Sequence, residues 1–262
     1  MKHLLLLTLL FCLSIDGFSQ SEDVKYNQFD DQGRRQGIWY SYFKDGGLRY
    51  QGKFIDDEPV GVFYYYFPEG GIRAEIIHDP DEEAAKATFY HENDSISSEG
   101  SYINEKRHGV WQFYNDDGVL TSENYYHHGE NHGVWKVYYP DGQIAEITTW
   151  HYGEKHGEWK RFYENGQLNV KTKHKNDMID GMYEVYYKNG RNNIIGLYKN
   201  NLPHSTWTFF TQKGEKQKIV VYDEGKILKE TILIEEDDES MEQIRPGDEP
   251  LNEEERRKLR GY

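Results

Sequence analysis

The segments GVWQFYNDDG, GVWKVYYPDG and GEWKRFYENG begin at Gly109, Gly133 and Gly157, always 24 residues apart. Extending that step in both directions reaches Gly37, Gly61, Ala85, Gly109, Gly133, Gly157, Gly181 and Ser205. Two residues beyond these starts lie Trp39, Phe63, Ala87, Trp111, Trp135, Trp159, Tyr183 and Trp207. Five beyond, all eight positions are aromatic, where a 15% aromatic composition would place about one. Nine beyond, Gly recurs in every unit except the one that carries Asp94. Eight copies without an insertion make the period itself structural.

Each unit reads as a β-hairpin. Its first half is rich in Trp, Tyr, Phe and Val, which suit a half-buried strand. Asp117-Gly118, Asp141-Gly142, Asn165-Gly166 and Asn189-Gly190 follow, pairs that accept the positive φ of a tight hairpin turn. A second strand and a second polar turn, such as Asp56-Asp57, Asn104-Glu105, His128-Gly129, Asn176-Asp177 or Asn200-Asn201, complete the unit. No stretch between the units has helical period. The pattern therefore predicts an all-β fold, an elongated single-layer antiparallel meander of about eight 24-residue β-hairpin repeats, with about sixteen strands side by side. The unit with Ala85, Ala87 and Asp94 lacks its leading Gly, its Trp and its turn Gly, so a local irregularity is expected there.

The ends differ from the array. Residues 1–19 read as a secretory signal: a basic start at Lys2 and His3, the apolar run LLLLTLLFCL, and small residues at Gly17 and Ser19. That run is short for a membrane span. Cleavage after Ser19 would remove Cys12, the one cysteine, and leave an exported chain with no disulfide. Export would place it in the periplasm, the outer envelope or outside the cell. Residues 20–36 form a polar lead-in, 37–228 the array, and 229–262 a capping strand with an acidic, charged tail, whose NEEERRKLRGY has Glu-to-Arg pairs at helical spacing.

Composition narrows the functions. The formal net charge is −15, which argues against nucleic acid and against adhesion to anionic lipid, both of which need a basic surface. There is no Ser elbow, no phosphate-cradling Gly loop and no Cys beyond the leader, so no enzyme and no cofactor are expected. His108, His132, His156 and His204 precede repeat starts, and His127 and His151 form a second column. Equivalent residues of adjacent units lie roughly 9.5 Å apart. Side chains so spaced need not converge, and no metal site is expected.

At this point the residues carry a resemblance. GVWKVYYPDGQIAEITTWHYGEKHG resembles the bacterial variant of the MORN repeat, over residues 37 to about 225. The resemblance implies an elongated meander of hairpins used for scaffolding or for contact with proteins and membranes. Many bacterial members are labelled YwqK-like antitoxin components, which implies neutralisation of a toxin. GVFYYYFPEGG also resembles the shorter aromatic-Gly repeats of glucan-binding proteins, which implies contact with a glycan.

The aromatic columns are the candidate site. Their first role is packing, since rings on neighbouring strands can stand in for a second layer. If the second turn centres 21 residues into the unit, Tyr126 lies across from Trp135 and Trp150 across from Trp159. A single layer leaves some rings reachable, so Trp111, Tyr114, Trp135, Tyr138, Trp150 and Trp159 are the expected binding residues. The expected function is a non-enzymatic, exported binding platform whose partner is another protein, with toxin neutralisation or envelope polysaccharide binding as alternatives.

Overall fold

The computed structural model describes residues 25–234. The expected leader with Cys12 and the acidic tail with its helical spacing lie outside the described residues. Within them, 20 strands form one open antiparallel sheet in which each strand pairs with its neighbours in the chain. The two-residue strands Glu130–Asn131 and Met178–Ile179 are the leading ends of the strands Gly133–Tyr138 and Gly181–Tyr186, interrupted by one residue each.

The two turns of each unit exchange the roles expected of them. In the first turn only the Gly has positive φ, as at Gly118 and Gly142, while the Asp or Asn before it does not. Gly142 N donates to Tyr139 O and Tyr139 N to Gln143 O. This is a type I turn closed by a glycine bulge rather than a two-residue primed turn. The residue before the Gly is Asp or Asn because its side chain accepts from the backbone two residues on, at 2.9 Å from Asp141 to Gln143 and 3.1 Å from Asn165 to Gln167. The primed turns connect the units instead. Asp56 and Asp57 have φ of 54° and 71°, Asn200 and Asn201 of 50° and 65°, and Ile55 pairs directly with Glu58 around the first of these turns.

The repeat-start Gly has a separate cause. Thr148 pairs with Trp159 and Trp150 with Lys155, so one residue faces three across a bulge that holds Gly157 at φ 107°. This bulge is why Trp150 does not lie across from Trp159: the register there belongs to Thr148. The irregular unit is now accounted for. Residues 79–84 replace its tight turn, and the strands Ile72–His78 and Ala85–Tyr90 pair without a bulge, so Ala85 needs no left-handed backbone. Its own hairpin is regular up to the usual shift near the turn, where Asp94 takes the glycine conformation at φ 64°.

The ends of the array are treated differently. Strand Arg35–Tyr42 starts two residues before Gly37 and pairs with a short strand, Gln28–Phe29. Asn27 exchanges hydrogen bonds with the backbone of Tyr40, its Nδ2 donating to Tyr40 O at 3.1 Å and its Oδ1 accepting from Tyr40 N at 2.7 Å. That covers part of the N-terminal edge. The expected last strand exists as Lys226–Ile232 on strand Lys216–Asp223. It is exposed on both faces, with Leu228 at 67%.

One face of the sheet holds the core. Between strands Lys106–Tyr114 and Leu120–His127, Trp111 opposes Asn124, Phe113 opposes Ser122, and Gly109 opposes Tyr126. These positions recur as buried residues along the array, and Trp111, Trp159 and Trp207 are essentially inaccessible. No second layer is needed, because each ring is covered by those of neighbouring strands. Tyr102 meets Trp111 edge-on at 5.0 Å, and Tyr198 meets Trp207 at 5.0 Å and 87°. Such pairs add roughly 0.5–1.5 kcal/mol each beyond the area they bury.

The rings also need room beneath them. A Cβ on Gly52, Gly100 or Gly196 would stand 2.3, 2.4 or 2.1 Å from the ring of Phe63, Trp111 or Trp207. At the equivalent place in the irregular unit the sizes are reversed, with Ile76 paired to Ala87. Large and small residues thus trade places across the strand pair, and the combined volume stays near one ring.

Candidate binding face

The six aromatic residues expected to bind are divided between the two faces. Trp111 and Trp159 are buried at 0% and 1% exposure, so they hold the sheet together and present no ring to a partner. Trp135 and Trp150 share that core face and are half-buried, their centroids 5.1 Å apart. Trp135 also meets Tyr126 at 5.4 Å, and its Nε1 donates to Tyr125 O at 3.0 Å. Tyr114 and Tyr138 lie on the opposite face. Side chains alternate along a strand, and the bulges keep that alternation in step from unit to unit.

On that opposite face, tyrosine and glutamate from adjacent units bond in pairs. Tyr114 donates its hydroxyl to Glu99 at 2.7 Å, and Tyr138 donates to Glu123 in a short bond. Glu123 also accepts from Lys136 Nζ at 3.1 Å and Gln112 Nε2 at 3.2 Å. The Tyr138 hydroxyl, and after it Lys136, hold the Glu123 carboxyl below its usual range. Burial and the bond to Glu99 push Tyr114 up to about 12, and Tyr138 is raised by its burial and its bond to Glu123. These phenols therefore stay neutral donors and fix the carboxylates in place. With their hydroxyls bonded to acids, they are less free to bind a ligand than an isolated Tyr would be.

Beside this ladder runs an apolar column that the aromatic pattern did not reveal. Ile38, Val62, Val110, Val134 and Met182, each one residue beyond a repeat start, are 38%, 38%, 55%, 48% and 51% exposed. The signal was present in the sequence as an apolar residue one place before the ring position in five of the eight units, on the other parity, with Lys86, Glu158 and Thr206 in the remaining three. Val110, Glu123, Tyr125, His132, Val134 and Lys136 line a shallow depression of about 430 Å³. A second, of about 380 Å³, lies at the first turns of the N-terminal units among Tyr42, Tyr66, Arg49 and Arg73.

The histidines are placed differently from expectation. The two columns are cross-strand neighbours and interleave. His108 stands 5.3 Å from His127, His127 5.7 Å from His132, His132 5.5 Å from His151, and His151 5.9 Å from His156, all as ring centroids. His128 turns back to within 5.0 Å of His108 and 4.5 Å of His127. The 9.5 Å spacing of equivalent positions therefore does not keep these side chains apart, because the partners are inequivalent residues on adjacent strands.

Among solved structures, the chain is similar to the crystal structure of TarM, at 15% identity over 47% of this chain and 20% of that one, with a TM-score of 0.23. It is similar to a TcdB2-TccC3-Cdc42 complex at 12% identity over 76% and 15%, with a TM-score of 0.20. It is also similar to a Photorhabdus luminescens Tc holotoxin pore at 10% identity over 74% and 14%, with a TM-score of 0.18. It spans a fifth or less of the length of these chains. No curated protein matches. Residues 35–56, 85–104, 107–128, 131–152 and 155–176 match the MORN repeat variant, the irregular unit among them. The match thus falls on five of the hairpin units of this sheet and covers less than half of the chain.

Proposed function

We propose that this chain is an exported, non-enzymatic platform that binds another protein through the face opposite its core. The observation that supports the reading is the exposed apolar column of Ile38, Val62, Val110, Val134 and Met182 beside a fixed ladder of carboxylates. An exposed apolar row on a rigid sheet suits a partner segment that offers apolar side chains, with basic ones to meet Glu99 and Glu123. MORN repeats in general are associated with protein or membrane binding, and the charge of −15 favours the protein partner over an anionic membrane. Neutralisation of a toxin is a special case of the same reading, in which the partner is lethal when the platform is lost. Polysaccharide binding would instead draw on the half-buried Trp135 and Trp150 of the core face.

The test is crosslinking in native cells with a C-terminally tagged chain, followed by mass spectrometry of what is captured. A single protein in fixed ratio is expected, lost in the double variant Val110→Glu, Val134→Glu while the melting temperature holds. Capture that survives this variant sinks the proposed face. Binding of purified repeats to polysaccharide with no protein captured would sink the protein partner.

A further inference from the structure

We infer that His108, His127 and His128 form a three-nitrogen site for a divalent transition ion of the zinc and copper class. Each residue offers a ring nitrogen, and these three atoms all lie within 4.8 Å of one another. Tetrahedral coordination at about 2.0–2.1 Å per bond asks for ligand nitrogens about 3.3 Å apart, so small ring rotations close the set. Imidazole without thiolate or carboxylate suits zinc, copper and nickel, and does not suit magnesium or calcium.

Three further observations support the site. His108 Nδ1 is shut off from solvent and makes no hydrogen bond among the described residues. Such a nitrogen gains from a metal what it lacks from a protein partner. His128 adopts φ 48° at a turn position that carries Asp56, Asn104, Asn176 and Asn200 in four other units and Tyr152 and Glu224 in two. An imidazole is thus held in a left-handed conformation next to the other two, where an Asn would serve the turn as well. Finally, the protein carries a formal charge of −15, which raises the local concentration of cations around it. His108 and His127 are half-buried and His128 is exposed, so the fourth position opens to water or to a side chain of a bound partner. The site lies on the edge formed by the turns that connect units, and it does not require the proposed binding face.

The experiment is titration of the full untagged chain with zinc, and separately with cobalt and magnesium, followed by calorimetry and by the visible absorption of cobalt. The variants borrow residues from other units, so the turn should be preserved: His108→Gln as at Gln36, His127→Ile as at Ile55, and His128→Asn as at Asn200. The expected result is saturable uptake of one zinc or cobalt ion and none of magnesium. Affinity should fall on the order of tenfold or more in each variant, with circular dichroism unchanged, and hold in His156→Gln. No saturable zinc uptake would overturn the inference. So would uptake indifferent to the three variants, or uptake equally sensitive to His156→Gln, which would assign the ion to the row of imidazoles as a whole.

Discussion

Replacing Gly100 by Ile and Trp111 by Ala, singly and together, tests the claim that size is traded between paired positions of the array. Trp111 is fully buried and its Nε1 donates to Ser101 O at 3.1 Å. Removing that ring should cost about 3–5 kcal/mol, as large-to-Ala changes in cores do. Gly100→Ile places its Cβ where the indole Cδ2 would be 2.4 Å away, far inside the 3.5–4.0 Å optimum, and should cost about 1–3 kcal/mol or more. The double variant rebuilds the pair that Ile76 and Ala87 already form elsewhere in this chain. The new side chain would fill much of the space the indole leaves, so the two costs should not add. The coupling expected is about 2 kcal/mol in favour of the double variant. Rescue should be partial, because the Gly100 pairing includes a bulge that the Ile76 pairing lacks. Urea unfolding followed by circular dichroism gives the four free energies, compared at a common m-value. Costs that add to within about 0.5 kcal/mol would refute the reasoning and leave Gly100 as a backbone requirement alone.

Ser205 is held at φ 62° at a position where six other units carry Gly, so Ser205→Gly should stabilise by about 0.5–1 kcal/mol, read as a raised urea midpoint. His174 is buried in the core face, and desolvation, helped by Lys155, lowers it to about 4. Its folded value lies below the unfolded one of 6.5, so the unfolded chain binds the proton first. The stability it contributes is complete well above pH 6.5 and is lost as pH falls toward 4; by about pH 4 that loss is roughly 3 kcal/mol, and His174→Phe should flatten the unfolding profile across this window. Tyr138→Phe removes the leading cause of the low Glu123 value, so the carboxyl should titrate closer to 4.5 by NMR, with Lys136 still holding it down. A Glu123 titration that does not move would mean the hydroxyl bond is not made in solution.

Much of this protein was legible in its sequence. A 24-residue period with alternating rings and turn residues determined the meander, the strand count per unit and the packing of the aromatic columns in general, but not that Trp111 and Trp159, expected among the binding residues, are fully buried. Periodicity reads which residues are equivalent, and equivalence is a property of the chain alone. Which inequivalent residues meet is a matter of register, and register depends on bulges that one residue can add or remove. The two extra residues around Gly157 moved Thr148 opposite Trp159 and displaced Trp150. The same strand pairing divided the six expected aromatic residues between two faces, exposed the column of Val110 and Val134, and brought His108 to His127 and His128. The sequence by itself determined the repeating unit, because local turn chemistry and side-chain alternation are written in each copy. Only the tertiary structure decided what the copies present to a partner or an ion, because that depends on which strands lie side by side and which residue of each stands across the gap.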